Sequence, residues 1–342
     1  MSATLKDVGE FGLIERIAAG CRIRPQGVVR GIGDDAAAVT PAGGLLLLAT
    51  DLMTEGIHFL RDTTSAADLG YKALAANLSD IAAMGGTARE ALVSIAVPDD
   101  CTVDFIEDLY RGMLSLAAEH RVNIIGGDTT AARSDLVVSI TVSGHVAEEH
   151  LLRRDRAQVG DIICLTGYPG ESRAGLHLLL NRIGAFGPAF GHLRRRHWRP
   201  RPHLAEGHWL GRHDEVHAAI DISDGLGADL GHVTNQSGVG ARIDTAALPV
   251  SPSLRMFCRR FGIDPVDTML SGGEDYILLC TVAAGAAAAL CADFEETFKR
   301  PLYRIGEITG SGSVERMDPD GRSTGVSARG WNHFRKEASD GA

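Results

Sequence analysis

The chain has 342 residues, of which 44% are hydrophobic and 23% charged, with a formal net charge of −10. Its length exceeds what one small core usually covers, so two domains are expected, and its composition argues against extensive disorder. The acidic balance excludes a sequence-independent nucleic-acid binder, which needs a cationic surface for phosphates, and no apolar run approaches membrane-spanning length.

The first twenty residues carry no basic stretch leading into a continuous apolar run, so cytoplasm is the expected compartment. GIGDDAAAV (31–39) places two adjacent carboxylates behind two glycines. LLLLATD (45–51) predicts a strand, AADLGYKALAANLSDIAAMGG (66–86) a helix closed by Gly85 and Gly86, and ALVSIAV (91–97) another strand. A helix over 102–120, a strand then a turn in VNIIGGD (122–128), and a long strand over 136–146 complete this half. A polar patch, AEEHLLRRDRAQVGD, separates it from a second set of pieces that begins with strand-like IICLTG (162–167), so the boundary is placed near residue 148. In the second half ESRAGLHLLLNRI, GLGADLGHVTNQS and SLRMFCRRFG read as helices, and HAAIDIS, GARID, YILLCTV and YRIGEIT as strands. The basic, histidine-rich segment 194–213 reads as a solvated connection into a helix. Six cysteines lie far apart with no CxxC pair, as expected of reduced, buried small residues.

Aspartates recur at the ends of apolar runs or beside glycine: Asp34, Asp35, Asp51, Asp80, Asp128, Asp221 and Asp224. Strand ends and the turns after them are where α/β folds collect ligand groups. Each Asp taken alone also reads as a cap or turn residue. Taken together they would repel, at about 4 kcal/mol for a pair some 4 Å apart at an effective dielectric of about 20, unless a hard cation joins them. Oxygen-only ligands favour Mg²⁺, Mn²⁺ or Ca²⁺ over zinc. Asp80 resists the capping explanation best, because it lies in the last turns of its helix, where the macrodipole disfavours an anion, among the apolar neighbours Leu78, Ile81 and Ala82. Asn77, three residues earlier, is a candidate polar partner. A GxxxxGK[ST] phosphate loop, protein-kinase motifs and a GxSxG elbow are all absent from the sequence. A nucleotide-using enzyme of this kind would rely on metals.

In order, GIGDDAA, ATDLMTEGIHF, YKALAANLSDIAAMGG, NIIGGDTT, AIDISDGL, LSGGEDYILL and the terminal GWNHF resemble the thiamine-monophosphate kinases, a branch of the superfamily named for aminoimidazole ribonucleotide synthetase. The resemblance runs from about Glu10 to Phe334. It implies an α/β (α+β) two-domain architecture: an N-terminal mixed-sheet domain (1–148) that binds ATP and Mg²⁺ and dimerises, and a C-terminal α/β domain (149–342) that completes the substrate site. It implies ATP-dependent phosphorylation of thiamine phosphate to thiamine diphosphate, several Mg²⁺ ions, and a homodimer with each active site near the interface. Carried over by motif, Asp35, Thr50, Asp51, Asp80, Asp128, Asp221 and Asp224 are implied metal ligands. Gly127, Asp128, Arg154 and Ser223 would lie along the ATP phosphates, and His58, Glu274 and Trp331 would contact thiamine phosphate. No catalytic base is expected, since an acceptor phosphate with a second pKa of about 6 is already largely ionised at neutral pH. Ala49 departs from the family pattern, in which serine is common. Competing readings are another ATP-using synthetase of the superfamily, which lacks support because no reactive Cys and Lys occupy an early glycine-rich loop, and a noncatalytic binder, which should have lost several of these aspartates.

Overall fold

In the computed structural model, which describes residues 13–18, 20–30, 32, 38–41, 43–184 and 187–326, the first strands form a short antiparallel pair: β1 (Val28–Arg30) with β2 (Ala38–Val39). The next four strands, β3 (Leu45–Thr54), β4 (Thr87–Pro98), β5 (Asn123–Ala132) and β6 (Val137–Val146), form a sheet in the order β3-β6-β4-β5. β6 pairs antiparallel with both neighbours, whereas β4 and β5 are parallel and joined by the Val103–His120 helix. Parallel neighbours need such a crossover, because no tight turn can join them.

The Ala66–Ala83 helix starts at Ser65, whose hydroxyl accepts the Asp68 N–H at 3.1 Å, and gives way to Gly85 at φ 72°. It crosses the Val103–His120 helix backbone to backbone. A Cβ on Gly70 would lie 1.9 Å from the Leu109 carbonyl oxygen, and one on Gly112 1.8 Å from that of Ala67. Leu69, Leu74, Leu78 and Ile81 are buried, and so are Lys72, Asn77 and Ser79. A helix with both apolar and polar residues buried is covered on several sides, and its buried polar groups need partners. Those partners come largely from the second half of the chain, whose Leu204–Leu210 helix seats Gly207 against the Ala82 backbone.

The second sheet comprises β7 (Ile162–Leu165), β8 (Val216–Asp221), β9 (Gly240–Asp244), β10 (Leu278–Val282), β11 (Tyr303–Thr309), β12 (Val314–Met317) and β13 (Ser323–Gly325), ordered β13-β12-β9-β11-β7-β10-β8. The β9–β12 pairing is parallel and the others antiparallel. Strand alternation divides its side chains between two cores. Ile163, Leu165, Ala218, Ile220 and Leu279 join one cluster with the Glu171–Leu180, Leu226–Ser237 and Pro252–Phe261 helices. Cys164, Ala219, Leu278 and Cys280 face the other way and continue the core of the N-terminal half. The Ala66–Ala83 helix therefore lies between the two sheets, alongside the end of β8.

Two departures from the sequence reading concern the middle of the chain. The glycines of IIGGD do not end a strand, since β5 continues to Ala132. The basic segment is no mere solvated connection: most of it lies in the Gly187–Trp198 and Leu204–Leu210 helices, with His197 and His203 buried and Arg196 paired with Glu171 at 3.3 Å. All six cysteines are free thiols, five of them buried. The outer face of the first sheet leaves Leu46, Leu48, Leu52 and Leu92 exposed, with Leu46 at 69% and Leu48 at 68%. No helix among the described residues is long and apolar enough to cross a membrane.

Candidate active site

Three of the expected carboxylates meet between the two halves. Asp51 comes from β3, Asp80 from the Ala66–Ala83 helix and Asp221 from the end of β8. Asn77 ties the strand to the helix: its side-chain oxygen accepts the Asp51 N–H at 3.0 Å while its amide donates to the Ala73 carbonyl at 3.0 Å. One residue before Asp80, Ser79 donates its hydroxyl to Asp221 Oδ2 at 2.6 Å across the junction. Burial, then the charges of Asp221 and Asp51, push the Asp80 carboxyl up to about 8, against the pull of Arg154. Burial likewise lifts Asp221 to about 6, with the Ser79 hydrogen bond opposing it, Asp51 adding to it and Arg154 opposing. Asp51 is raised by burial. Three carboxylates held together with only partial compensation are an incomplete electrostatic arrangement. An all-oxygen donor set that resists ionisation for want of positive charge fits a hard divalent cation.

A second group lies on the loop after β8. Asp229 Oδ2 accepts three successive backbone N–H groups, from Ser223 at 3.1 Å, Asp224 at 3.2 Å and Gly225 at 3.0 Å, which folds the loop around a carboxylate. Burial, followed by the neighbouring charges of Asp221 and Asp224, pushes Asp229 up to about 8. Ligand atoms of Asp224, Asp229 and His232 lie within 4.8 Å of one another, which adds candidate cation donors beside Asp221. The sequence pattern does not mark Asp229 or His232, because an Asp in the first turn of a helix is common without any ligand role.

The third group surrounds Glu274. This residue adopts left-handed backbone geometry at φ 61°, and its N–H donates to the Ser223 carbonyl at 2.8 Å, joining the two loops. Its carboxylate lies 2.7 Å from Lys72 Nζ and 3.5 Å from His197 Nδ1. Burial works against the ionised form, but Lys72, His197 and His58 outweigh it and hold Glu274 below the usual carboxylate range. His58 accepts the Thr54 N–H through Nδ1 at 3.0 Å and so closes its own turn. Adjacent Asp275 is wholly committed elsewhere: its two oxygens accept the Gly170 and Ser172 N–H groups at 2.5 and 3.0 Å, at the start of the Glu171–Leu180 helix. Of the two neighbouring acids, Glu274 is the one that faces the cleft.

Not every expected residue joins these groups. Thr50 faces the outer side of β3, where its hydroxyl donates to the Ile140 carbonyl at 3.1 Å and lies 2.9 Å from Thr141 Oγ1. Asp51, Ile140, Val93 and Gly127 occupy one row of the sheet register, so Gly127 sits three strands from Asp51, about 14 Å at the usual strand spacing. Asp128 follows on the opposite face, exposed, with Oδ1 accepting the Thr129 N–H at 2.9 Å. Gly127 answers to packing, since a Cβ there would lie 1.7 Å from the Val93 carbonyl oxygen. Arg154 is half-buried, its charge bearing on both Asp80 and Asp221. Asp35 and Trp331 lie outside the described residues.

The two mixed-sheet halves have counterparts in known families. Residues 33–146 match the AIR synthase related protein N-terminal domain and residues 158–318 the corresponding C-terminal domain, which defines the class. Thiamine-monophosphate kinase from Escherichia coli K12 is 38% identical over 333 residues, covering 95% of this chain and 98% of its own length; that from Aquifex aeolicus is 34% identical over 330 residues, covering 96% and 99%. The crystal structure of thiamine-monophosphate kinase from Stenotrophomonas maltophilia K279a superposes with a TM-score of 0.82 at 38% identity, over 95% of this chain and 99% of the other. A structure described as AaThiL complexed with AMPPCP and TMP gives 0.76 at 33%, over 98% and 100%. The chain belongs to the thiamine-monophosphate kinase family. Hydrogenase maturation protein HypE in complex with ATP, at 21% identity and a TM-score of 0.74, shares the fold.

Proposed function

We propose that this chain phosphorylates thiamine phosphate to thiamine diphosphate, using ATP, by direct in-line transfer of the γ-phosphoryl group with Mg²⁺ held by its aspartates. The observation that carries the reading is that Asp51, Asp80 and Asp221, drawn from three elements of both halves, lie near enough for their charges to act on one another and on Arg154. Names and ligands of the relatives support the substrates.

The chemistry asks little covalent work of the protein. The acceptor is a phosphate monoester, largely ionised at neutral pH, so its attacking oxygen needs no base. The obstacle is bringing that anion against the anionic γ-phosphoryl group, and catalysis is therefore positioning and charge neutralisation. Asp51, Asp80 and Asp221 would hold the cation, with Asp224 adjoining, and Mg²⁺ bound there supplies the positive field that an acidic chain lacks. Arg154 adds a fixed guanidinium for charge-assisted bonds to phosphate oxygens. Ser223, on the loop gathered by Asp229, would lie along the ATP phosphates. Glu274 and His58 lie on the acceptor side, where a carboxylate suits the cationic thiazolium or the aminopyrimidine.

The exposed leucine face of the first sheet supports a homodimer, the state that the resemblance implies. Thr50 and Asp128 project from that same face. Two copies joined there would bring both residues to the seam, on the opposite side of the sheet from Asp51, Asp80 and Asp221. The test of the activity is ADP release by the purified protein with ATP and Mg²⁺, comparing thiamine phosphate, thiamine and no acceptor, with products weighed by mass spectrometry. Thiamine diphosphate formed only from thiamine phosphate is the expected result; acceptor-independent ADP or none at all would favour a superfamily relative of different substrate.

A further inference from the structure

Lys72 is among the most deeply buried side chains of the molecule, 1% exposed, on a helix whose other large buried residues are aliphatic. An ammonium is rarely buried to that degree unless it is paired and hydrogen-bonded. Its partners both come from the other half of the chain: Glu274 Oε1 at 2.7 Å and His197 Nε2 at 3.4 Å. His197 is buried as well, and burial followed by the Lys72 charge lowers its pKa to about 3, so the ring is neutral. A neutral ring that accepts from Lys72 at Nε2 carries its proton on Nδ1, which faces Glu274 Oε2 at 3.5 Å and Ser172 Oγ at 3.0 Å. Glu274 Oε1 thus takes its donor from Lys72 across the domain junction, while His197, held by Ser172, packs beside Oε2. The backbone beneath it is left-handed at both Glu274 and Tyr276, φ 61° and 51°, a geometry that non-glycine residues keep only where their surroundings over-determine it.

We infer that Lys72 is a positioning residue for the acceptor: backed by His197, it aims and holds the Glu274 carboxylate, and it does so from the same helix that carries Asp80. The inference rests on Glu274 contacting thiamine phosphate, as proposed above, and adds the group through which that contact is made. It also gives the helix two duties two turns apart. Lys72 fixes the acceptor side, and Ser79 with Asp80 fixes the metal side, so the spacing between acceptor and γ-phosphoryl group is built into one rigid element.

A double-mutant cycle tests it, with Lys72→Met, Glu274→Gln and the pair combined, each measured for KM of both substrates, kcat and Tm. Lys72→Met and Glu274→Gln should each raise KM for thiamine phosphate about tenfold or more and leave KM for ATP within about twofold, and the double variant should resemble the singles because both act through one contact. Lys72→Arg should recover part of the loss. If Lys72→Met is too unstable, with a carboxylate left unpaired beside buried His197, the double variant remains informative because it removes both charges. Equal increases in both KM values, or a double variant whose defect is the product of the two singles, would overturn the inference. Wild-type enzyme that turns over thiamine phosphate while Glu274→Gln matches it would also overturn the inference and leave the proposed function standing. Wild-type enzyme that neither binds nor phosphorylates thiamine phosphate would remove both.

Discussion

Two adjacent acids, Glu274 and Asp275, illustrate what a single residue's surroundings decide. Both stand in the SGGEDY motif, and sequence order alone pointed to Glu274 as the substrate contact. The structure gives the physical distinction: Asp275 is spent on two backbone N–H groups, whereas Glu274 points at Lys72 and the cleft. Asp275→Ala should lower stability by about 1–2 kcal/mol, the range for losing a helix-capping carboxylate, read as a reduced midpoint in urea with an unchanged slope. An unaltered midpoint would contradict the capping role. Asp80 was legible in the sequence because an acid in the last turn of an apolar helix conflicts with the dipole. Asn77, the candidate polar partner one turn earlier, spends its side chain on the Asp51 N–H and the Ala73 carbonyl. Lys72 left no signal at all: a lysine in a helix reads as a solvated residue until the helix is known to be covered by a second layer, and Glu274 lies far away in sequence.

At the scale of elements, the strongly patterned segments came through with small shifts. The Ala66–Ala83 and Val103–His120 helices begin where Ser65 and Thr102 offer hydroxyl caps, and β3 and β6 carry the alternation expected of half-covered strands. β5 was misjudged at its end because glycine pairs usually mark turns. Here Gly127 serves close approach to Val93 within a continuing strand. The Pro265–Ser271 and Ala287–Phe298 helices went unnoticed, the second because its alanine-rich opening lacks periodic contrast between faces. The basic segment misled for the opposite reason. Its charge suggested solvent, yet Arg199 pairs with Asp68 and Arg196 with Glu171, while His197 and His203 are buried.

Across the whole molecule, the site exists only because two halves meet. Asp51 and Asp80 belong to the first, Asp221 and Arg154 follow β6, and no single element carries more than part of the set. The sequence held the clue in the shared pattern of these aspartates, while their convergence depended on packing that a single chain's patterning does not encode. The same limit applies to assembly. Leu46, Leu48, Leu52 and Leu92 form an apolar outer face that a second copy would cover. Light scattering should give twice the chain mass, and Leu48→Asp should shift the protein toward monomer; a wild-type monomer would contradict the dimer proposal. The central claim is that carboxylates from both halves act as one metal scaffold for phosphates, and Asp80→Asn tests it most directly through Mg²⁺ binding by calorimetry and turnover in the same preparations. A folded variant with Mg²⁺ binding weakened and turnover reduced about a hundredfold or more is the result the account predicts. Wild-type Mg²⁺ affinity and turnover in that variant would contradict it.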